Sequence, residues 1–309
     1  MDLLNATPVT SSAQPGHYRF NQTNNYWAVI GVRPPPGSDY DLHLYLDNLD
    51  STLLASSSYT GTVVDFIAGD YNHSPLGYYY PKVTLFNGSG SYTVERENGT
   101  EQLSSDGTTG TINWTSSNVV KVWDVYLTAG RQYRFTLNMI SGTANVGIAL
   151  FKSTASAYYA GRSSNAAIAD AGGSGGGETF TYTAPASDWY GFIVWSNNTA
   201  GASFTVSAET ISSLEEISGK VPAEYMLNQN YPNPFNPVTT IEFAIPNAGH
   251  TTLKIYNLLG EEIATLVDEY LCPSTYRAGW NSAGFAGGTY CYRLRSGDFA
   301  ETKKLLLLK

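Results

Sequence analysis

The sequence predicts an all-β protein, and three observations support this prediction. Tyr, Thr, Val, Gly and Ser are abundant, and β-branched and aromatic residues favour strands. Short apolar runs recur between turns that contain Gly, Pro or Asn, and residues 41–46 alternate in character as a half-buried strand does. No helical period of useful length is present. We expect three tandem β-sandwich domains, two similar larger ones and a small C-terminal one.

The two larger sandwiches are predicted from an internal repeat. A hairpin signal at residues 82–94 returns at residues 191–206, and the run around Trp27 returns around Trp123. We therefore divide the chain into a β-sandwich at 1–110, a second at 111–210, a linker at 211–227 and a third sandwich at 228–309.

Charge and hydropathy argue against two classes of function. The net charge is −9 and no basic stripe occurs, so nucleic-acid binding has no electrostatic support. No apolar run approaches the roughly 20 residues that a membrane span needs. The first residues lack the basic and apolar regions of a secretory signal. For a secreted protein we therefore expect a processed or shortened chain.

The C-terminal region contains the most specific motif of the sequence. The motif consists of Tyr231, Pro232, Asn233, Pro234, Phe235, Asn236 and Pro237. Strand-like runs follow at 240–243, 253–260 and 288–294, and a last segment at 301–305 lies close to the chain end. Residues 228–309 resemble the type A C-terminal sorting domain of the type IX (Por) secretion system. The resemblance implies a small β-sandwich that the outer-membrane secretion machinery recognises. It also implies a location at the cell surface or outside the cell of a bacterium with an outer membrane.

Two short segments of the first part of the chain are informative, the run from Asp39 to Tyr45 and the hairpin end from Gly90 to Val94. On these segments, residues 1–210 resemble tandem bacterial pre-peptidase C-terminal domains. Domains of this family accompany secreted hydrolases and are not themselves catalytic, so the resemblance implies a non-catalytic role.

Both cysteines of the chain, Cys272 and Cys291, lie in the predicted third domain. Because they are the only cysteines of a chain predicted to be secreted, we expect them to form a disulfide. A bridge that closes a loop of about 20 residues would stabilise the domain by on the order of 3 kcal/mol.

No group of residues in the sequence indicates an enzyme. The histidines do not have the spacing of metal ligands; they are His17, His43, His73 and His250. Ser174 lies in a G-x-S-x-G match, but this match lacks the strand before it and the helix after it that a nucleophile elbow requires. Glu95 and Glu97 lie side by side near a hairpin end, where we expect a surface position. We expect no catalytic residue and no cofactor, apart from one metal candidate.

Asp39 and Asp41 are that metal candidate. They lie two residues apart on a predicted strand, so both carboxylates project from one face. Oxygen ligands of this kind could hold a structural Ca²⁺ ion. The alternative is a solvated strand edge with a negative field.

Seven N-x-S/T sequons are candidates for glycosylation, and most lie at predicted turns. They begin at Asn5, Asn21, Asn72, Asn87, Asn98, Asn113 and Asn197. Bacterial machinery need not use this motif, so the sequence leaves their modification open.

Two functions remain open. The first is a non-enzymatic structural protein of the cell surface, a self-assembling subunit of an extracellular filament or coat. Its polar N-terminal tail could pair with a sheet edge of the next subunit, with Leu3 and Val9 as anchors. The alternative is an accessory region of a secreted hydrolase or adhesin that binds carbohydrate or protein. Tyrosines 78–80 are its candidate aromatic platform.

Overall fold

A computed structural model of the chain describes residues 1–129, 131–154, 157–211, 214–218 and 221–308. Almost all of its regular structure is β-strand, which confirms the predicted fold class. A short 3₁₀ helix occupies Arg162–Ser164. Among the described residues, none of the helical segments has the length and apolarity needed to cross a membrane.

The first sandwich is built from two sheets that enclose an aromatic core. Its strands are β1 (Val9–Ser11), β2 (Gly16–His17), β3 (Phe20–Gln22), β4 (Trp27–Arg33), β5 (Asp39–Tyr45), β6 (Leu53–Ser57), β7 (Asp65–Asp70), β8 (Gly77–Asn87) and β9 (Tyr92–Asn98). One sheet has the order β1-β9-β4-β7, and the other has the order β2-β8-β5-β6, with β3 also paired to β8. Tyr40, Leu42 and Leu44 alternate into the core, because successive side chains of a strand point to opposite faces.

The second sandwich is also built from two sheets. Its strands are β10 (Gly107–Thr108), β11 (Ile112–Trp114), β12 (Val120–Leu127), β13 (Gln132–Gly142), β14 (Val146–Phe151), β15 (Tyr159–Gly161), β16 (Ala167–Ala169), β17 (Glu178–Thr183), β18 (Asp188–Ser196) and β19 (Ala202–Ile211). One sheet has the order β10-β19-β13-β17, with β11 also paired to β19, and the other has the order β12-β18-β14-β16.

The two sandwiches share one strand topology. The order β9-β4-β7 in the first corresponds to β19-β13-β17 in the second, and β8-β5-β6 corresponds to β18-β14-β16. The predicted match between Trp27 and Trp123 is wrong by one strand. Trp27 lies on β4, whose counterpart is β13, whereas Trp123 lies on β12, the counterpart of β3. Short strands with one tryptophan look alike in sequence, and only their pairing distinguishes them.

A second core cluster joins the two sandwiches. Phe66 and Val29 of the first sandwich pack in one buried cluster with Phe151 and Trp195 of the second. Gly31 permits the close approach, since a Cβ at this position would lie 2.3 Å from a methyl group of Val120. Strand β15 of the second half also pairs with β7 of the first. These elements form one compact unit, which comprises Met1–Tyr126, Arg134–Thr181 and Trp189–Glu209.

The third sandwich belongs to a second compact unit, which comprises Leu127–Tyr133, Tyr182–Asp188 and Thr210–Lys309. Its strands are β20 (Leu214–Ser218), β21 (Met226–Leu227), β22 (Val238–Ile245), β23 (Gly249–Tyr256), β24 (Glu262–Leu271), β25 (Ser274–Asn281), β26 (Gly288–Ser296) and β27 (Phe299–Leu307). The two sheets have the orders β20-β25-β22-β21 and β24-β23-β26-β27.

In the structure the third domain begins earlier than predicted, within the segment predicted as a linker. Strand β20 pairs with β25, where Leu214 lies opposite Ala278, so part of residues 211–227 is ordered sheet. The polar composition concealed this strand because its exposed side chains are charged. Ser212, Ser213, Gly219 and Lys220 of the predicted linker lie outside the described residues.

Candidate functional site

The proline-rich motif at 231–237 lies on the surface of the third domain and is held by one buried ring. Phe235 is almost fully buried and packs against Trp280, with ring centroids 5.4 Å apart. The other residues of the motif are exposed. The sequence predicted Tyr231 as a second anchor, but its side chain is 82% exposed. Its backbone holds it instead, through N–H and C=O bonds to Thr240 of 2.8 and 2.9 Å.

The motif also pairs with the last strand of the chain. The Phe235 N–H donates to the Leu306 carbonyl at 3.0 Å, and the Leu308 N–H donates to the Phe235 carbonyl at 2.8 Å. The Leu306 N–H donates to the Asn233 side-chain oxygen at 3.0 Å. The two ends of the predicted sorting signal therefore form a single surface, and each end depends on the other for its backbone hydrogen bonds.

A buried polar group supports the motif from below. Asn230, just before the motif, donates through Nδ2 to the Thr239 hydroxyl at 2.9 Å and to the Pro232 carbonyl at 3.0 Å. Its N–H donates to the Tyr292 hydroxyl, which in turn donates to the Asn228 carbonyl. A buried amide must be satisfied in this way. A shallow groove opens beside these residues, lined by Asn228, Gln229, Tyr231, Thr240, Glu242 and Arg277.

The predicted Cys272–Cys291 disulfide is wrong, because both cysteines are free. Cys291 lies opposite Tyr256 at one end of β23. Cys272 follows Leu271, which lies opposite Gly249 at the other end of β23. This strand separates the two cysteines by roughly 20 Å, at about 3.4 Å per residue. A disulfide needs Cα atoms within about 7 Å of each other.

Asp65 joins the two predicted metal ligands to form a three-carboxylate cluster of Asp39, Asp41 and Asp65. One oxygen from each carboxylate lies within 4.8 Å of the other two. Asp39 and Asp65 are buried, and burial raises the pKa of Asp65 to about 6. Burial and the neighbouring Asp39 also raise the pKa of Asp41. Asp65 could not be recognised from sequence spacing because it lies on β7, in the other sheet of the sandwich.

Glu95 and Glu97 were predicted to lie on the surface, and the structure corrects this. Both side chains are buried where the first sandwich meets the second. Glu95 accepts hydrogen bonds from the N–H groups of Val119 and Val120, the latter at 3.0 Å. Glu97 pairs with Lys121 at 2.9 Å. The local sequence gave no signal of this burial, because the covering residues come from the other sandwich.

Among the described residues, Asp70, His73 and Ser153 bring together the three residue types of a nucleophilic triad. In a working triad the imidazole lies between the nucleophile and the carboxylate. Here the carboxylate lies in the middle: Asp70 Oδ2 accepts from the Ser153 hydroxyl and lies 2.7 Å from His73 Nδ1. Ser174 of the G-x-S-x-G match lies in a loop before β17 and is followed by that strand instead of a helix.

The seven sequons divide into two groups. Four asparagines are exposed, namely Asn5, Asn21, Asn87 and Asn113. Asn98 is buried, while Asn72 and Asn197 donate through Nδ2 to Asp124 and Asp170 at 3.2 and 3.3 Å. A glycan attaches to this nitrogen, so glycosylation remains a prediction at the four exposed sites.

The N-terminal tail lies on its own sandwich. Strand β1 adds to the edge of β9, with Val9 opposite Val94. Leu3 is buried in the core of the same sandwich, and the Ala6 N–H donates to the Arg96 carbonyl at 2.9 Å. Leu3 and Val9, which were predicted to anchor the tail on the next subunit, therefore pack against the sandwich of their own chain in this structure.

The tyrosine run at 78–80 does not form a continuous platform. Tyr79 is buried and stacks on Phe20, with ring centroids 5.6 Å apart. Tyr78 is half exposed, and the guanidinium of Arg19 lies 5.6 Å from its ring centre. Core packing thus accounts for Tyr79, and the Arg19 guanidinium already covers part of the Tyr78 ring.

Several solved structures resemble parts of the chain at low identity, whereas no curated protein matches it. The pre-peptidase C-terminal domain of a collagenase from Bacillus anthracis is 11% identical with a TM-score of 0.29, over 35% of this chain and 92% of that chain. CorA, a surface-associated copper-binding protein of Methylomicrobium album BG8, is 10% identical with a TM-score of 0.27, over 37% and 99%. The adhesin domain of Epf from Streptococcus pyogenes is 7% identical with a TM-score of 0.25, over 91% of both. We draw no functional conclusion from likenesses at this level.

A family of known function matches the third domain. Residues 229–308 match the model of the secretion system C-terminal sorting domain. The match covers the motif around Phe235 and the last strand, which the structure joins into one surface. It confirms the predicted type IX sorting domain at the C-terminus of the chain, and with it a secreted protein of the cell surface or extracellular space.

Proposed function

We propose that the chain is a non-enzymatic structural protein, a subunit of an extracellular filament or coat that assembles by exchanging its N-terminal strand between copies. The main supporting observation is the position of β1. It completes the edge of a sheet through β9, and Leu3 fills part of the core beneath. A terminal strand with these contacts is an element that copies of a chain can exchange.

The exchange would conserve every contact of the tail. A tail from a neighbouring copy can make the same bonds to β9 and bury the same leucine, so the free-energy difference between the two states is small. Each copy would give one tail and accept one tail. Such a head-to-tail contact produces an open polymer when the rotation between copies does not close.

The arrangement of Asp70, His73 and Ser153 differs from a nucleophilic triad. The Ser153 hydroxyl donates to the buried Asp70 carboxylate instead of to the His73 imidazole, as in a structural hydrogen bond. The side chain of Ser153 is also buried.

Export is the first test of this function. Deletion of residues 228–309 should leave the chain in the periplasm, because the machinery then lacks the surface that it recognises. Fractionation of cells followed by immunoblotting measures this. Efficient secretion of the shortened chain would contradict the role of the third domain.

Strand exchange is tested with a disulfide across β1 and β9. Thr10 and Thr93 lie directly opposite each other in this pair. A chain with Thr10→Cys and Thr93→Cys, in a background where both native cysteines are serine, should form covalent ladders when it is oxidised after assembly. Non-reducing electrophoresis separates these ladders from chains linked within themselves.

The single variant Thr10→Cys is the matched control and should give no species larger than a dimer. If polymerised material contains only disulfides within single chains, the tail is not exchanged. If the native chain is strictly monomeric at high concentration, the filament hypothesis is wrong.

A further inference from the structure

The carboxylate of Asp39 is buried in the first sandwich, and one of its oxygens has no partner among the described residues. Its side chain is 8% exposed. Within the part of the chain that the structure describes, its Oδ1 atom is fully buried and has no hydrogen-bond partner. Burying such an atom unpaired costs free energy that a folded protein ordinarily avoids. The carboxylate of Asp39 belongs to the three-carboxylate cluster, so a ligand in this cluster would be close to the orphaned group.

We propose that the three-carboxylate cluster of Asp39, Asp41 and Asp65 binds one Ca²⁺ ion. Calcium is held by oxygen atoms at 2.3–2.6 Å. Two ligands on opposite sides of such an ion are therefore separated by roughly 5 Å. The three carboxylate oxygens all lie within 4.8 Å of one another, so a single ion can contact each of them. Mg²⁺ requires shorter bonds and a stricter octahedron, and the cluster suits it less well.

The charges around the cluster also favour a cation. Neither lysine nor arginine forms an ion pair with these three aspartates in the described part of the chain. Arg162 lies nearby, but its guanidinium donates to the Val64 carbonyl and to Asp170, both at 2.7 Å. The three mutually repelling carboxylates thus have the longer-range attraction of Arg162 for Asp65 but no direct ion pair among the described residues, and a divalent ion would supply the missing charge.

Solvent access completes the site. Asp41 is only partly buried, so an ion can reach the cluster and keep water in its remaining coordination positions. The Asp65 carboxylate is fixed by the Ser57 hydroxyl and by the Tyr59 N–H at 3.0 Å. Such contacts orient a metal ligand before the ion arrives. The site does not depend on the strand exchange proposed above.

The test measures calcium binding to the full chain after treatment with a chelator. Isothermal titration should show one ion per chain for the native protein, and Asp41→Asn should weaken binding at least tenfold. Calcium should raise the melting temperature of the native protein by several degrees, and the same concentration of Mg²⁺ should raise it less.

Two variants make the result specific. Asp50→Asn removes a nearby carboxylate that pairs with Lys82 outside the cluster, so it should leave calcium affinity unchanged. Asp39→Asn should raise the melting temperature in chelator, because it relieves repulsion, and should abolish the gain from calcium. Absence of binding to the native chain, equal shifts with Mg²⁺, or equal losses in Asp41→Asn and Asp50→Asn would each overturn the proposal.

Discussion

The first and second sandwiches have the same strand order but place charge differently at corresponding positions. In the first, β5 begins with Asp39 and β7 begins with Asp65, and these residues belong to the three-carboxylate cluster. In the second, the counterpart of β5 is β14, whose residues are apolar and buried. The counterpart of β7 is β17, which begins with Glu178. The same strand topology therefore carries three carboxylates at this position in the first sandwich and one in the second.

The single acid of the second sandwich is satisfied by the backbone. Glu178 is buried, and its Oε1 accepts a hydrogen bond from the Gly172 N–H at 2.6 Å. Asp39 in the first sandwich has a buried oxygen without a partner in the described residues. The comparison shows that the fold does not require the cluster. The cluster is therefore a property of the first sandwich's own sequence.

The largest expected effect concerns the core that joins the two sandwiches. The Phe66 ring lies 5.0 Å from Trp195 and 5.8 Å from Phe151, both in the second sandwich. Phe66→Ala should lower the free energy of unfolding by about 3–5 kcal/mol, since it removes a buried ring and leaves a cavity. It should also split unfolding of the joined pair into two transitions. Denaturant titration followed by tryptophan fluorescence measures both effects.

Phe135→Ala is the matched control, because it makes the same substitution at a buried phenylalanine. Its ring contacts Phe180 and Phe192, which both belong to the second sandwich. This variant should lose comparable stability and keep the cooperativity of the native chain. The joined core is refuted if the two variants unfold with the same number of transitions.

Local patterns predicted much of this structure, and contacts between distant strands explain the misses. The alternation that buries Leu42 and Leu44 is a property of one strand, and the sorting motif around Phe235 is a short continuous segment. Both were therefore accessible from sequence. Asp65 was missed because its partners lie on another strand, and the burial of Glu95 depends on the second sandwich. A single sequence contains no signal for such pairings.

The disulfide error has the same origin. Two cysteines in one small domain suggested a bridge, but sheet register decides whether they meet. Cys272 and Cys291 lie at opposite ends of β23, a separation that neither spacing nor composition indicates.

A second prediction concerns a carboxylate shared by the two sandwiches. Asp124 of β12 is buried and accepts from the Trp27 N–H at 2.9 Å and from Asn72. Burial, with a smaller effect from the facing Asp70, raises the pKa of Asp124 to about 7. His73 lies beyond, paired with Asp70. The unfolded chain loses this proton near pH 4, whereas the folded chain keeps it until about pH 7.

The stability contributed by protonated Asp124 should therefore fall as the pH rises from about 4 to about 7, by roughly 4 kcal/mol at most. Asp124→Asn cannot titrate, so its stability relative to the native chain should increase over this window. Denaturant titrations at several pH values measure the difference. Parallel pH profiles of the two proteins would show that Asp124 is ionised throughout.

The smallest expected effect is a difference in stability between variants of the two buried acids, Glu178 and Asp39. Glu178→Gln keeps an oxygen that can accept from the Gly172 N–H but loses the charge that strengthens this bond. It should cost about 1 kcal/mol of unfolding free energy, and calcium should stabilise this variant as it stabilises the native chain. In chelator, Asp39→Asn should change stability in the opposite direction, because its carboxylate is repelled without being satisfied. Denaturant titration of both variants, with and without calcium, measures whether each variant gains or loses unfolding free energy. If both variants lose stability in chelator, the carboxylates are equivalent parts of the fold, and the difference between the sandwiches lies only in sequence.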